Sequence, residues 1–482
     1  MKHLKIGIEN LSKIFTFVRT LKTKGLPPAL DAVTEHNNPD ILTTKVGGKS
    51  VHYIYNPDYF DEMIRRPNVF QKPDKYSNLR SIFKKTGIFT SGFELWARQK
   101  RGLKPFMVKR NLSSYEDSFE QEIDAMVDRW QEAGQTSDIY KDCQDLSISI
   151  LFKSLFKADI TEHRDELKKS ISILNGFTVD PFSNPLSHLF NRHFYMSKQT
   201  KEAFAFFQDL MEEITKEAKQ SPIENDLISK LLEDAGYYDA KTDTEKQDAQ
   251  LQVYEEIFQL IAAGYESTAS ALTWMIVELA RNPETQDLLR DEVFETIDPK
   301  NIDVADLDDL EMQNLFIDEM LRLYPSLHIS IPRKAKEDYT TQDGFTFKKG
   351  DYVIVPIANI QRDERWFENP DKFDMGRMTL ENRKKRHKNS SIPFFAGAHI
   401  CSGKQMFMME AKMTLSKVLG KLEILSNGDM PNRIFQSSTV PSSNFKIQFK
   451  PIEERAPSLD KGKRKSRKKM VKKAGQCPFG HG

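Results

Sequence analysis

The sequence predicts a mainly α-helical protein with small β-sheets, built as one large helical domain, and three observations carry that reading. Apolar residues recur at helical spacing from about Pro57 to roughly Pro325. Beyond Pro332 the pattern changes to short strand-like runs with turns, as in "DGFTFKKGDYVIVPIA", where Asp343-Gly344 and Lys349-Gly350 mark the bends. Helical spacing returns after Gly403, with Phe407, Ala411, Leu415, Val418 and Leu422 on one face. The length of 482 residues alone would suggest about three domains. Charged residues at 29% and 32 phenylalanines describe a folded globular chain rather than a disordered one.

At the start, Leu4, Ile8, Leu11, Phe15 and Val18 are spaced by four and three, among Lys2, Lys5, Lys13 and Arg19. This predicts one amphipathic helix over residues 1–24, either packed on the domain or lying on a membrane surface. "KGLPPAL" ends it, because Gly25, Pro27 and Pro28 break helix. The main domain is expected over 25–455, with a first strand in "SVHYIY" and a last strand pair around "FKIQF". Residues 456–482 form a basic tail, expected to be disordered; from Lys461 it holds nine Lys/Arg and no acid. Such a block reads as solvated, and no specific nucleic-acid contact is expected.

Cys143, Cys401 and Cys477 are too few and too scattered for a disulfide framework. The most apolar stretch, from Phe258, is interrupted by Glu266 and Glu278, so no transmembrane helix is predicted. The expectation is a cytoplasmic monomer with at most peripheral membrane contact through the N-terminal helix.

Chemistry concentrates in "PFFAGAHICSGKQ", from Pro393 to Gln405. A thiol just before a helix gains from the helix dipole and nearby backbone N–H groups, which favour the thiolate. Gly397 and Gly403 allow tight bending and close approach of a flat ligand, with Phe394 packed beneath. Zinc wants three or four ligands, more than His399 and Cys401 supply. A buried, inert cysteine is the competing reading.

The pattern Phe394-x-x-Gly397-x-His399-x-Cys401-x-Gly403 resembles the haem-binding loop of the cytochrome P450 family. Four further matches follow the family's order between Trp96 and Gly403. Glu319 and Arg322 lie three apart on a helix, where a surface salt bridge would be the ordinary reading. The resemblance implies instead that they join Arg377 behind the haem, with Met375-Gly376 where Pro-Glu is usual. In "AAGYESTAS" the family's Ala-Gly-x-acid-Thr pattern maps onto Ala263, Gly264, Glu266 and Ser267. Ala263 and Gly264 would then face the haem, and Glu266 with Ser267, or the adjacent Thr268, would relay protons. A hydroxyl bonding back to a carbonyl could open the helix there. Trp96-x-x-x-Lys100, Arg333 and His399 take the propionate-contacting positions. His399 stands where arginine is more frequent, which would make that contact pH-sensitive.

The resemblance implies haem b (iron protoporphyrin IX) on the Cys401 thiolate. It also implies insertion of one oxygen atom from O2 into a small apolar organic substrate, such as a fatty acid or terpenoid. Electrons would come from a separate ferredoxin, flavodoxin or reductase, steered by the basic run Arg383–Lys388. Leu327, Ile329, Ile331 and Val440 would line the substrate pocket, under a lid in 175–196. A peroxygenase or isomerase of the same fold, or a non-catalytic haem sensor, are the alternatives.

Overall fold

The computed structural model describes residues 3–5, 11–34, 38–46, 48–73, 83, 87–136, 138–183, 197–426, 430–435, 438–442 and 445–453. The lid expected in 175–196 falls largely outside them, as do the basic tail and Cys477.

The N-terminal segment differs from the single helix expected of it. His3–Lys5 is a strand, β1, and helix α1 begins only at Leu11, running to Lys24. After it come α2 (Leu26–Thr34), β2 (Ile41–Val46) and β3 (Lys49–Ile54), the strand predicted in "SVHYIY". β1 pairs parallel to β2, so Leu4 packs with Phe17 onto Leu30, Leu42 and Tyr55. Sheet pairing outcompetes the helical pattern there because β2 offers an open edge. Phe15 and Val18, on the apolar face of the expected helix, are 70% and 42% exposed.

Next are α3 (Pro57–Ile64), capped by the Asn56 side chain with Pro57 in its first turn, and β4 (Phe70–Gln71). The helical body comprises α4 (Phe93–Met107), α5 (Lys109–Leu112), α6 (Glu116–Ala133), the short β5 (Gln135–Thr136), α7 (Ile139–Leu151) and α8 (Arg164–Ser183). It continues with α9 (Lys198–Gln220), α10 (Leu227–Asp234) and the 39-residue α11 (Asp243–Arg281). Thr242 and Glu245 form a reciprocal cap that starts α11. From Thr268 to Ala280 every residue is buried, as befits a helix that crosses the core. α12 (Pro283–Thr296) and α13 (Glu311–Leu323) complete this layer.

The strand-rich segment holds β6 (Arg333–Ala335), β7 (Tyr339–Thr340), β8 (Thr346–Phe347) and β9 (Tyr352–Ile354). Gly344 and Gly350 make its turns with φ of +90° and +93°. Short helices α14 (Ile357–Ile360) and α15 (Leu380–Lys384) lead to α16 (Lys404–Lys421). Then follow β10 (Leu422–Ser426), β11 (Arg433–Phe435), β12 (Thr439–Pro441) and β13 (Ile447–Pro451). Leu422 therefore opens a strand instead of closing the helix. The strand expected around "FKIQF" pairs not with a neighbour in sequence but with β10 and β5.

The main sheet has the order β1-β2-β3-β9-β6-β4, and the others are small. One core lies among the helices and a second between α3 and the main sheet. The cysteine loop links them: Phe394 packs on the helical core and Phe395 on the sheet core.

Candidate functional site

The loop from Phe394 to Gly403 is closed by the Cys401 N–H donating to the Phe394 carbonyl at 2.9 Å. Phe395 and Gly397 both take left-handed conformations, with φ of +60° and +67°. For Phe395 this costs energy, and its packing edge-on to Phe60, 5.0 Å between centroids, holds it there. Gly397 has a second constraint, since a Cβ would sit 3.1 Å from the Ile64 Cβ. Gly403 is different. Its φ is −80°, and the only atom a Cβ would meet is the Cys401 Sγ, at 3.9 Å. Protein packing thus does not require glycine at 403, whereas a flat ligand lying against the loop would.

Burial pushes the Cys401 thiol up, while the N–H groups of Gly403 and Lys404 and the cations of Lys100 and Lys404 pull it back toward thiolate. Lys100 is fixed to the same loop, donating to the carbonyls of Ala398 (2.7 Å) and Ile400 (2.8 Å). Phe394 lies 5.5 Å from Phe407, and Lys404 stands over its face.

Beside this loop, cationic and ring groups gather. Trp96, on α4, stacks at 3.9 Å against His399 and has Lys100 and Lys72 within 6 Å of its ring. Arg333, at the start of β6, is buried and faces Phe395. Trp96, Lys100, Arg333 and His399 are therefore brought together as predicted. Lys72 was missed: it follows β4 in "FQKPDK", where no periodicity marks it as buried. Burial pushes Lys72 down to about 7, and Arg333 and Lys100 add to the effect. His399 is pushed down to about 3 by burial and by Arg333, Lys72 and Lys100. It is neutral, with a buried Nε2 that has no hydrogen-bond partner among the described residues.

In α11, the stretch 262–264 with Glu266 and Ser267 is the part-exposed window in an otherwise buried run. Ser267 Oγ donates to the Ala263 carbonyl, and the Ser267 carbonyl accepts from Ser326 Oγ at 2.7 Å. The helix stays continuous through this bond, so the predicted opening is not seen. Thr268 is buried, and Gly264 packs tightly against Leu151 of α7, where a Cβ would clash. Leu151 is followed by a π-helical turn, Phe152–Phe156, a distortion common at functional sites.

Glu319 and Arg322 do not form a surface bridge. Both are fully buried and joined by two 2.8 Å hydrogen bonds, Nε to Oε2 and Nη2 to Oε1. Arg322 also donates to the carbonyls of Gln361 (2.9 Å), Pro370 (2.6 Å) and Lys372 (3.3 Å). Arg377 is the third member, its Nε 3.7 Å from Glu319 Oε1. The Met375-Gly376 departure leaves the turn intact, because Asp374 caps the Gly376 N–H at 2.9 Å.

A family model described as cytochrome P450 matches residues 25–449. Cytochrome P450 4p1 of Drosophila melanogaster is 25% identical over 426 residues, 84% of this chain and 82% of that one. The pentalenene oxygenase of Streptomyces avermitilis is 23% identical, covering 83% and 88%. The crystal structure of the cytochrome P450DA heme domain superposes with a TM-score of 0.76 at 21% identity, over 92% of this chain and 96% of that one. The chain belongs to the cytochrome P450 family, and it is a haem monooxygenase of that family, holding its haem through a cysteine thiolate. The residues present fit such a group. A thiol is tuned by N–H donors and lysines, a glycine leaves room beside it, and cations that an anionic group could neutralise gather next to the loop.

Proposed function

We propose that Cys401 carries the haem iron and that Lys72, Trp96, Arg333 and His399 hold the haem carboxylates. On this reading the chain inserts one oxygen atom of O2 into a small apolar substrate, using electrons from a separate protein. The observation that carries the reading is the cluster of cations and a neutral histidine beside the Cys401 loop. Positive charge in excess of the one acid that acts on Lys72, Glu256, favours an added anion there.

Bound haem supplies oxygen activation, favoured by the electron-donating thiolate. The chain does the rest. Lys100 fixes the loop that aims Cys401, through its bonds to Ala398 and Ile400. Ser267 Oγ, parked on the Ala263 carbonyl, can turn to pass a proton from Glu266, which lies in the same part-exposed window. Thr268, one position on and buried, takes a secondary role. Ser267→Ala should leave haem content unchanged and lower product formed per electron consumed by about tenfold or more. Turnover under labelled dioxygen checks this: product must carry one labelled oxygen. Unlabelled product would favour the peroxygenase or isomerase alternative.

The basic run 383–388 supports partner docking less than expected. Arg383 pairs with Asp318, Lys385 with Glu381, His387 with Asp58 and Lys388 with Asp61, while Arg386 folds inward onto the Arg377 carbonyl. On α4, by contrast, Arg98, Arg101 and Lys104 are exposed at three-residue spacing and make no ion pair among the described residues. An acidic electron donor fits that stripe, on the helix that also holds Trp96 and Lys100. Reversing Arg98 and Arg101 to glutamate should slow reduction at low salt more than Lys384→Glu does. Equal effects would remove the assignment.

Among the described residues no helix is long and apolar enough to cross a membrane. Exposed Phe15 and Val18, beside Arg19, support peripheral contact of α1 with an anionic lipid surface. Co-sedimentation with anionic vesicles that persists in a Phe15→Ser, Val18→Ser variant would rule this out.

A further inference from the structure

Lys72 connects the carboxylate-binding cluster to the interior of the long helix. Its Nζ donates to the Ile88 carbonyl, and the Ile88 N–H donates to Glu256 Oε2 at 3.0 Å. One residue of backbone thus joins a cation of the cofactor site to a carboxylate on α11. The other Glu256 oxygen accepts from the amide of Gln99, which lies on α4 between Trp96 and Lys100. Glu255 lies alongside, its Oε1 accepting from Thr90 Oγ1 (3.1 Å) and Gln259 Nε2 (2.9 Å), while the Phe89 N–H donates to Gln259 Oε1 at 2.7 Å.

Adjacent carboxylates in a helix interior are costly if both are ionised. Burial pushes Glu256 up to about 8 and Glu255 adds to this, while the Ile88 N–H, Lys72 and Gln99 oppose it. Lys72 is pushed down to about 7 by burial, Arg333 and Lys100, with Glu256 opposing. The charged and titratable groups that act on the pair are Arg333, Lys100, Glu255 and His399, together with each partner's effect on the other.

We propose that Lys72 and Glu256 form a buried acid–base pair that couples the cofactor site to the long helix, so that seating the haem carboxylates takes up a proton from solvent. The inference rests on the carboxylate pocket assigned above. Anionic side chains placed against Lys72 favour its ammonium form, and the added negative charge favours the neutral acid at Glu256. Both effects make the pair hold more protons when the pocket is filled. The sign follows: the haem is held most firmly below about pH 7, and its hold weakens as pH rises above that.

The test is the rate at which holoprotein loses haem to an excess of a haem-scavenging apoprotein, measured from about pH 6 to pH 9, together with the protons exchanged when haemin is added to the cofactor-free chain. Loss from the native protein should accelerate with pH, by up to about tenfold per unit. Lys72→Met should lose haem about tenfold faster at low pH and show a flattened profile. Glu256→Gln, which cannot ionise, should match the native rate at low pH and show a shallower alkaline acceleration that begins at lower pH, because Lys72 still titrates but without the opposing acid. Proton uptake should drop in both variants relative to the native chain; release from the cysteine thiol is common to all three and cancels. Native-like melting of each variant guards against misfolding. Parallel profiles in all three proteins overturn the pair. Arg333→Gln separates the two claims. Fast haem loss from it alongside parallel profiles defeats only the pair, whereas unchanged loss from it defeats the pocket as well.

Discussion

Two buried charge clusters in this molecule are built on opposite plans. Behind the cysteine loop, Glu319 and Arg322 are fully buried and satisfy each other, with three backbone carbonyls taking the remaining guanidinium donors. Beside the loop, Lys72, Arg333 and Lys100 are gathered with a neutral His399, and each cation depresses the proton affinity of its neighbours. The first cluster is complete within the chain and holds segments together. The second is arranged for an anion from outside it. An excess of buried positive charge over the acid that answers it, here Glu256, marks a binding site; buried charge matched and fully hydrogen-bonded marks scaffold.

That contrast breaks first at Glu319. Glu319→Ala leaves Arg322 buried without its carboxylate and should destabilise even the cofactor-free chain by about 3–5 kcal/mol. A thermal melt of cofactor-free protein measures this, and a loss below about 1 kcal/mol would place the pair outside the scaffold.

The glycines of the cysteine loop sharpen the same distinction. Gly397→Ala forces a left-handed conformation and a close contact with Ile64, and should cost about 1–3 kcal/mol with or without haem. Gly403→Ala has an ordinary φ and an ordinary contact, so the cofactor-free chain should melt as before while haem loading falls. Equal melting losses at both positions would show that Gly403 serves packing after all.

The smallest effect is expected at Lys72. Lys72→Met relieves its repulsion by Arg333 and Lys100 but loses the bond to Ile88 and the charge that acts on Glu256, so these offset and the cofactor-free chain should change by less than about 1 kcal/mol. Guanidinium unfolding of the cofactor-free variant checks this, and a loss comparable to that of Glu319→Ala would erase the difference between the clusters.

Much of the site was legible because its residues sit in local patterns. The cysteine loop, Glu319 with Arg322, and Trp96 with Lys100 are each fixed within a turn or two of chain, where spacing determines which side chains share a face. Lys72 had no such signal, since its burial comes from packing against α4 and α11. The adjacent acids Glu255 and Glu256 in the apolar run "VYEEIFQL" were the visible trace of that network. Gly264 also meets Leu151 on a neighbouring helix, a contact no local pattern encodes. The helical body and the small sheets followed from periodicity, whereas the three-residue β1 did not. A strand that short is set by the free edge of β2 rather than by its own sequence.

The most direct test is the absorption spectrum of the dithionite-reduced, carbon-monoxide-bound protein, recorded beside Cys401→Ala. A strongly red-shifted Soret band in the native chain, absent from the variant, is the predicted result. Folded protein supplied with haem that gives no such band, or a variant that keeps it, would contradict the assignment of Cys401 as the haem ligand.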